Sequence, residues 1–305
     1  MAAVPSMALA ASSASRGRLV IYSSLPTAQL DLMLDMFRDK YPSIIVDVFS
    51  AKEADVMARV QAEARAPAGD VVLGGGLDSF NAVEGLLSDY TTPNADAFHA
   101  GYNAQAAFIP IRLHVSAMIV NEALARETGV QVNGWASLKD ERLSGRVVYM
   151  DPAAASPDVR QADFVNTFAG SLEEATAGAP SFVLNAVTTG QYAVGILSEE
   201  KAIERKLKGA DLRIVYAEEG VAMGASYAGI LDGAQNAKAA KQFVDFITSR
   251  AYQQAASEQL HQRSIRRDVD FGMTGVVPTE NLRAANYDQL TLTLIAQATQ
   301  SGNNR

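Results

Sequence analysis

The segment Arg18–Pro42, RLVIYSSLPTAQLDLMLDMFRDKYP, sets the strongest constraint on what this chain can fold into. Leu19-Val20-Ile21-Tyr22 is a short apolar, β-branched run, as a buried strand requires. Two serines follow, and then Leu30, Met33, Leu34 and Phe37 recur at i, i+3, i+4 and i+7, the spacing of one helix face. Pro26 suits a first helical turn and Tyr41-Pro42 stops the helix. The same alternation then repeats. Ile44–Phe49 reads as a strand and Glu53–Ala66 as a helix with Val56, Val60 and Ala64 on one side. Asp70–Leu73 reads as a strand, and Asp78 caps a short helix from Ser79 to Leu87. Strands alternating with helices predict a parallel, doubly wound α/β sheet.

In such a sheet, ligands gather at the carboxyl ends of the strands. Ser23, Ser24, Ser50 and the Gly74-Gly75-Gly76 loop all fall at that edge. Backbone N–H groups and the positive end of a helix dipole point outward there, which favours an anion. Serines also serve as plain helix caps, so the residues alone leave cap and ligand donor both open.

A second alternating series begins after Ala106–Val120, a long extended stretch interrupted by Pro110. Proline fits poorly in a central strand, and a connection between two lobes explains the stretch better. Strand, loop and helix patterns then run through GRVVYMDPAAASPD, Ser181–Thr189, GQYAVGILSEEKAIERKL and DLRIVYAEEG. The series ends in a long helix with Ala240, Phe243, Val244 and Ile247 on one face. Asp151-Pro152 with Ser156 forms another strand-end loop, facing the first lobe if the lobes close on each other. Glu199-Glu200 follow a strand directly. They stand either where hydroxyl-rich ligands can be gripped or as first-turn acids favouring a helix dipole. Arg266-Arg267 is a basic spot suited to bidentate recognition of carboxylate or phosphate, or else a solvated surface charge.

Composition excludes several function classes. The chain has 305 residues, enough for about two domains, and a net charge of −8 with pI near 5.0, which argues against a nucleic-acid partner. It has no cysteine, so disulfides, thiolate nucleophiles and cysteine metal sites are out. His99, His114 and His261 are too scattered to suggest a local metal pair. The triple glycine lacks the Lys-Ser/Thr of a phosphate loop, and GASYAG lacks the spacing of a nucleophile elbow. Residues 1–16 are Ala/Ser-rich and hold Ala8-Leu9-Ala10, an export-type cleavage pattern without the basic start or the longer apolar core of a full signal. They read as a signal-peptide remnant or disordered tail of an exported, periplasmic protein.

The runs LVIYSS, FRDKYPSIIVDVFSAKEADVMARVQAEARAPAGDVVLGGG, LSGRVVYMDP, VTTGQYAVGI and AKQFVDFITS together resemble the solute-binding proteins of bacterial ABC importers. The resemblance is to the ferric-iron and spermidine/putrescine branch with a type II periplasmic-binding fold, and it spans nearly the whole chain. It implies two doubly wound α/β lobes joined by two crossover strands, near Ile109–Val115 and Ser226–Leu231. It implies lobe 1 over 17–111 and 228–270, lobe 2 over 112–227, and a C-terminal helical segment over 271–305 packing across both. It also implies ligand capture by lobe closure without catalysis or cofactor, and delivery by a monomer to a membrane permease.

Iron-binding members of that branch use a tyrosine pair where this chain has ILSEEKA, and a histidine where it has YSSLPT. The resemblance is therefore to members that bind hexose phosphates or phosphonates, which hold an anionic head group with hydroxyls and backbone N–H groups. By that likeness Ser23 and Ser24 hold the anion, while Glu199 and Glu219 (or their neighbours Glu200 and Glu218) hold sugar hydroxyls; Ser50, Gly75, Gly76, Ser156 and Arg266 (or Arg267), read from the strand ends and the basic spot, assist at the anion. The Ser-Gly-Thr common after Asp-Pro in those members is AAASPD here, which leaves a carboxylate such as citrate open as the ligand. The alternative is a ferric-iron carrier that uses a bound carboxylate as co-ligand. An enzyme on this fold would need a cofactor-bearing cysteine or an acid–base dyad with a nucleophile.

Overall fold

The computed structural model describes residues 17–102, 107–150, 175–177, 179–269, 271–272 and 275–285. The signal remnant expected over 1–16 and the last part of the expected C-terminal segment, 286–305, lie outside the described residues.

Strand β1 (Gly17–Ser23) is parallel to β2 (Ile44–Ser50) on one side and to β3 (Val71–Leu73) on the other. Helices α1 (Thr27–Lys40) and α2 (Glu53–Ala62) make the crossovers. Leu19 and Ile21 face one side of β1, where α1 lays down Leu30, Met33, Leu34 and Phe37. Tyr22 faces the other, against Val56, Met57 and Val60 of α2. Fully burying each such side chain stabilises the fold by roughly 1.5–3 kcal/mol. The helix expected over Ser79–Leu87 is shorter and starts earlier: α3 (Leu77–Asn81) gives way to a 3-10 turn and the two-residue β4 (Leu87–Ser88).

Strand β5 (Phe108–Val120) passes from this region into a second one. There, α4 (Glu122–Thr128) is capped by Asn121 and closed by Gly129 at φ 70°. The strands of this region are β6 (Val147–Met150), β7 (Ala175–Ala177), β8 (Val194–Ser198) and β9 (Arg213–Val215). Its helices are α5 (Pro180–Thr188) and α6 (Glu199–Leu207). Met118 and Val120 pack with Trp135 and Val147 on one face, and Ala117 and Ile119 with Val183, Val187 and Ile203 on the other. Strand β10 (Met223–Leu231) returns antiparallel to β5 and inserts next to β3. The resulting strand order is β2-β1-β3-β10-β5-β8-β6-β7.

The two crossover strands expected from the sequence are thus β5 and β10. Pro110 does lie within a paired strand, but at the irregularity where the register slips between Ser226 and Tyr227. A missing N–H is tolerated at a bulge.

The long C-terminal helix expected from periodicity is two helices, α7 (Ala237–Ile247) and α8 (Arg250–Leu260). Ser249 caps α8 by accepting from the Tyr252 N–H, which breaks the run although the apolar spacing continues. Buried Asp70 ties the return of the chain to β1. It accepts N–H groups from Val20 and Asn236, each at 2.8 Å.

Candidate functional site

The parallel register aligns three strand ends: Ser23 lies opposite Ser50 on β2 and Leu73 on β3. The chain leaves β1 at Ser24, whose N–H donates to the Leu73 carbonyl at 2.9 Å, and leaves β3 at Gly74. Ser23 is fully buried and its Oγ accepts the Leu25 N–H at 3.2 Å. Neither serine caps α1. The capping position is Pro26, with no side-chain hydrogen bond to the helix. Ser50 is exposed at the same edge.

Gly74 and Gly75 adopt φ of 90° and 96°, a conformation that glycine alone takes at no cost. A Cβ on Gly74 would stand 2.6 Å from Ser24 Oγ, so the loop lies directly on that serine. The Gly74 N–H donates to the Tyr227 carbonyl at 2.9 Å, and the Tyr227 N–H donates to the Gly75 carbonyl at 3.2 Å. These two bonds fasten the glycine loop to crossover strand β10. Glu53, the first residue of α2, reaches the loop: its Oε1 accepts the Gly76 N–H at 3.3 Å and the Ser79 hydroxyl. One cradle N–H expected to meet a ligand anion therefore meets a carboxylate of the chain itself.

The structure thus gathers Ser23, Ser24, Ser50, Gly74, Gly75 and Gly76 at one edge. Residues of the second region are placed differently. Glu199 is 1% exposed and lies in a fork with Arg263, Nε to Oε2 and Nη2 to Oε1 both at 2.6 Å. Tyr216 donates its hydroxyl to the same carboxylate, and its own pKa is pushed up, first by burial and then by Glu199. Glu219 accepts the N–H groups of Trp135 at 3.2 Å and Ala136 at 2.8 Å. The carboxylate lies close over Gly134, where a Cβ would fall 1.8 Å from Glu219 Oε2 and displace it. Glu218 is exposed.

Arg266 is buried with its fork on Asp268, both contacts at 2.8 Å, and on the Thr248 carbonyl at 3.1 Å. Those contacts tie it to the α7–α8 junction, while Arg267 is exposed. The Asp151–Ser156 loop, and Ser156 with it, lies outside the described residues.

Where the crossover strands pair, Ser226 lies opposite Arg112 and Gly224 opposite His114. These side chains form a polar cluster that no local motif announces. Arg112 donates from Nη1 to Gln29 Oε1 at 2.9 Å and from Nη2 to His114 Nδ1 at 2.6 Å. Arg112 Nε also donates towards His114 Nε2 at 3.3 Å, and that nitrogen lies 2.5 Å from Ser226 Oγ. Burial, and then the Arg112 charge, hold His114 well below its ordinary pKa and therefore neutral. Glu200 closes the cluster, its Oε1 3.2 Å from Arg112 Nη2. Sequence reading missed Gln29, Glu53, Arg112 and Ser226. The one available signal was a charged residue set inside the apolar run FIPIRLHV.

A family model described as bacterial extracellular solute-binding protein matches residues 19–259. The chain belongs to that family and serves as the solute-binding component of an ABC-type importer. An uncharacterized protein of Haemophilus influenzae is 26% identical, covering 92% of this chain and 88% of its own length. Among solved structures, the periplasmic binding protein AfuA from Actinobacillus pleuropneumoniae, with exogenous fructose-6-phosphate bound, superposes with a TM-score of 0.69 at 24% identity. That match covers 90% of this chain and 92% of AfuA. Iron-bound HitA from Pseudomonas aeruginosa superposes with a TM-score of 0.76 at 17% identity, covering 91% and 98%. The fold is the type II periplasmic-binding fold, two α/β lobes on two crossover strands.

Proposed function

We propose that this protein is exported and captures a small anionic organic solute (a sugar phosphate, a phosphonate or a carboxylate) in the cleft between its lobes. It then presents the closed form to a membrane permease, as a monomer. The observation that supports the anionic reading is the convergence at one sheet edge of Ser24, the Gly74–Gly76 loop and the crossover cluster around Arg112. Hydroxyls and an arginine are groups that select anions. The fructose-6-phosphate on AfuA, a protein of this fold, is in keeping with it. The residues of 1–16 would serve export, and lobe boundaries at 111/112 and 227/228 would fall within the crossover strands.

Ligand-stripped protein screened by thermal shift against hexose phosphates, phosphonates, di- and tricarboxylates, polyamines and Fe³⁺ with and without citrate tests the reading. A solute at ~100 times its Kd adds roughly 2.7 kcal/mol to the folded state. A shift with organic anions alone is expected. A shift that requires iron supports the ferric alternative instead. Replacing both Ser23 and Ser24 by alanine should weaken the anion-induced shift; an unchanged affinity would remove the serines from the site.

A further inference from the structure

Resting on the anionic-solute reading, we infer that Arg112 is the anion receptor of the cleft and that Glu200 is its internal stand-in anion, displaced when solute arrives.

Arg112 is placed to read both rims. Gln29, one residue away through a 2.9 Å bond, belongs to the first turn of α1, the helix that leaves the serine edge. His114 and Ser226 connect Arg112 to β10, and the next residue, Tyr227, is bonded to the glycine loop. Glu200 lies on the first turn of α6 in the second lobe. A buried guanidinium needs a counter-charge, since an uncompensated ion in the interior is costly. His114 is neutral and Gln29 uncharged, so among the described residues the counter-charge at this fork is Glu200.

That pairing is loose where the neighbouring one is tight. Arg263 engages Glu199 through two contacts of 2.6 Å, with side chains 1% and 2% exposed. Arg112 engages Glu200 through one contact of 3.2 Å, and the Glu200 side chain is 19% exposed. A guanidinium fork matches a carboxylate or phosphate best through two parallel bonds. Glu200 uses one arm of it, beside the bonds to Gln29 and His114, and an incoming anion that takes the remaining hydrogen of both Nη1 and Nη2 would exchange for it. The exchange also removes one ionic tie between α6 and the crossover, which links solute binding to the relative position of the lobes.

Titration calorimetry on the full chain, with D-fructose 6-phosphate and citrate as probes and D-fructose as an uncharged control, decides the matter. Glu200→Gln removes the competing charge and keeps a hydrogen-bonding group. It should bind the anions up to about tenfold more tightly while leaving fructose unchanged. Arg112→Gln should lose the anions by more than about 30-fold with its melting transition retained. If Arg112→Gln does not fold, Glu200→Gln still decides. Anion affinity that is unchanged or weaker in Glu200→Gln, or that survives Arg112→Gln, overturns this inference and leaves the anionic-solute reading standing. A gain for fructose equal to that for the anions overturns it too, because the pocket has then merely opened. A wild type that takes up neither of these, nor any phosphate, phosphonate or carboxylate of the thermal-shift screen, overturns the anionic reading and this inference together.

Discussion

Glu199 and Glu200 are consecutive residues at the start of one helix, each facing an arginine from another part of the chain, yet their surroundings differ sharply. Glu199 is sealed: its carboxylate is gripped by both arms of Arg263, and Tyr216 completes its hydrogen bonding. Arg263 in turn donates to the Val277 carbonyl at 2.7 Å and to Thr279 Oγ1 at 2.9 Å, so the pair also anchors the segment after α8. Glu200 has a single ionic contact and a partly open side chain. The difference follows from helix geometry, because side chains one residue apart point about 100° away from each other. One acid is turned into the protein and its neighbour towards the crossover. The lesson is that identical residue types in one motif divide into structural and exchangeable groups by how many of their partners are buried with them.

The comparison can be broken first at its strong side. Glu199→Ala leaves a guanidinium buried without a counter-charge and should cost about 3–5 kcal/mol in urea denaturation. Arg263→Met combined with Glu199→Leu should recover much of that loss. A single-mutant cost below about 1 kcal/mol would show the fork to be ornamental.

At the glycine loop, Gly74→Ala meets both an unfavourable φ and the Ser24 hydroxyl. It should lower stability by about 1–2 kcal/mol and weaken anion uptake together. Glu219→Ala removes the acceptor for two N–H groups at Trp135 and Ala136. It should cost about 1 kcal/mol with no change in anion affinity.

Glu200→Gln takes from buried Arg112 its ionic partner but keeps a hydrogen-bonding group at a single 3.2 Å contact, and should cost less than Glu199→Ala in the same urea assay. Its sign depends on pH. Burial holds the Glu200 carboxyl above the usual carboxylate range, with Arg112 and more weakly Lys201 and His261 opposing and Glu199 reinforcing. A raised folded pKa means that folding favours the protonated form. The stability it contributes is full below the ordinary value of about 4.3 and is lost as pH rises through the raised one. Wild type should therefore lose stability relative to Glu200→Gln between about pH 4 and the raised value; parallel pH profiles would contradict this.

The strand–helix alternation was legible because burial on two sheet faces leaves a repeated apolar pattern, and the edge formed by Ser23, Ser50 and Gly74 followed from where the strands end. Which residue caps α1 was not legible, because Pro26 and the serines compete for the same short turn, and position alone does not say which holds the first helical residue. The break at Thr248–Ser249 was hidden because the apolar spacing runs through it. The fates of Glu199, Glu219 and Arg266 were not legible for a common reason. Each depends on one partner distant in sequence or on a backbone N–H, and a charged residue in a loop looks alike whether its partner is solvent, solute or the protein itself. Arg112 was the informative exception, since a charge inside an apolar strand has to be answered by something.

Strand β10 lies between β3 and β5, although it is made from residues 223–231. During synthesis the first lobe therefore stays open along its β3 edge until the whole second lobe has been translated. Its late closure depends on contacts distant along the chain, which makes folding slow.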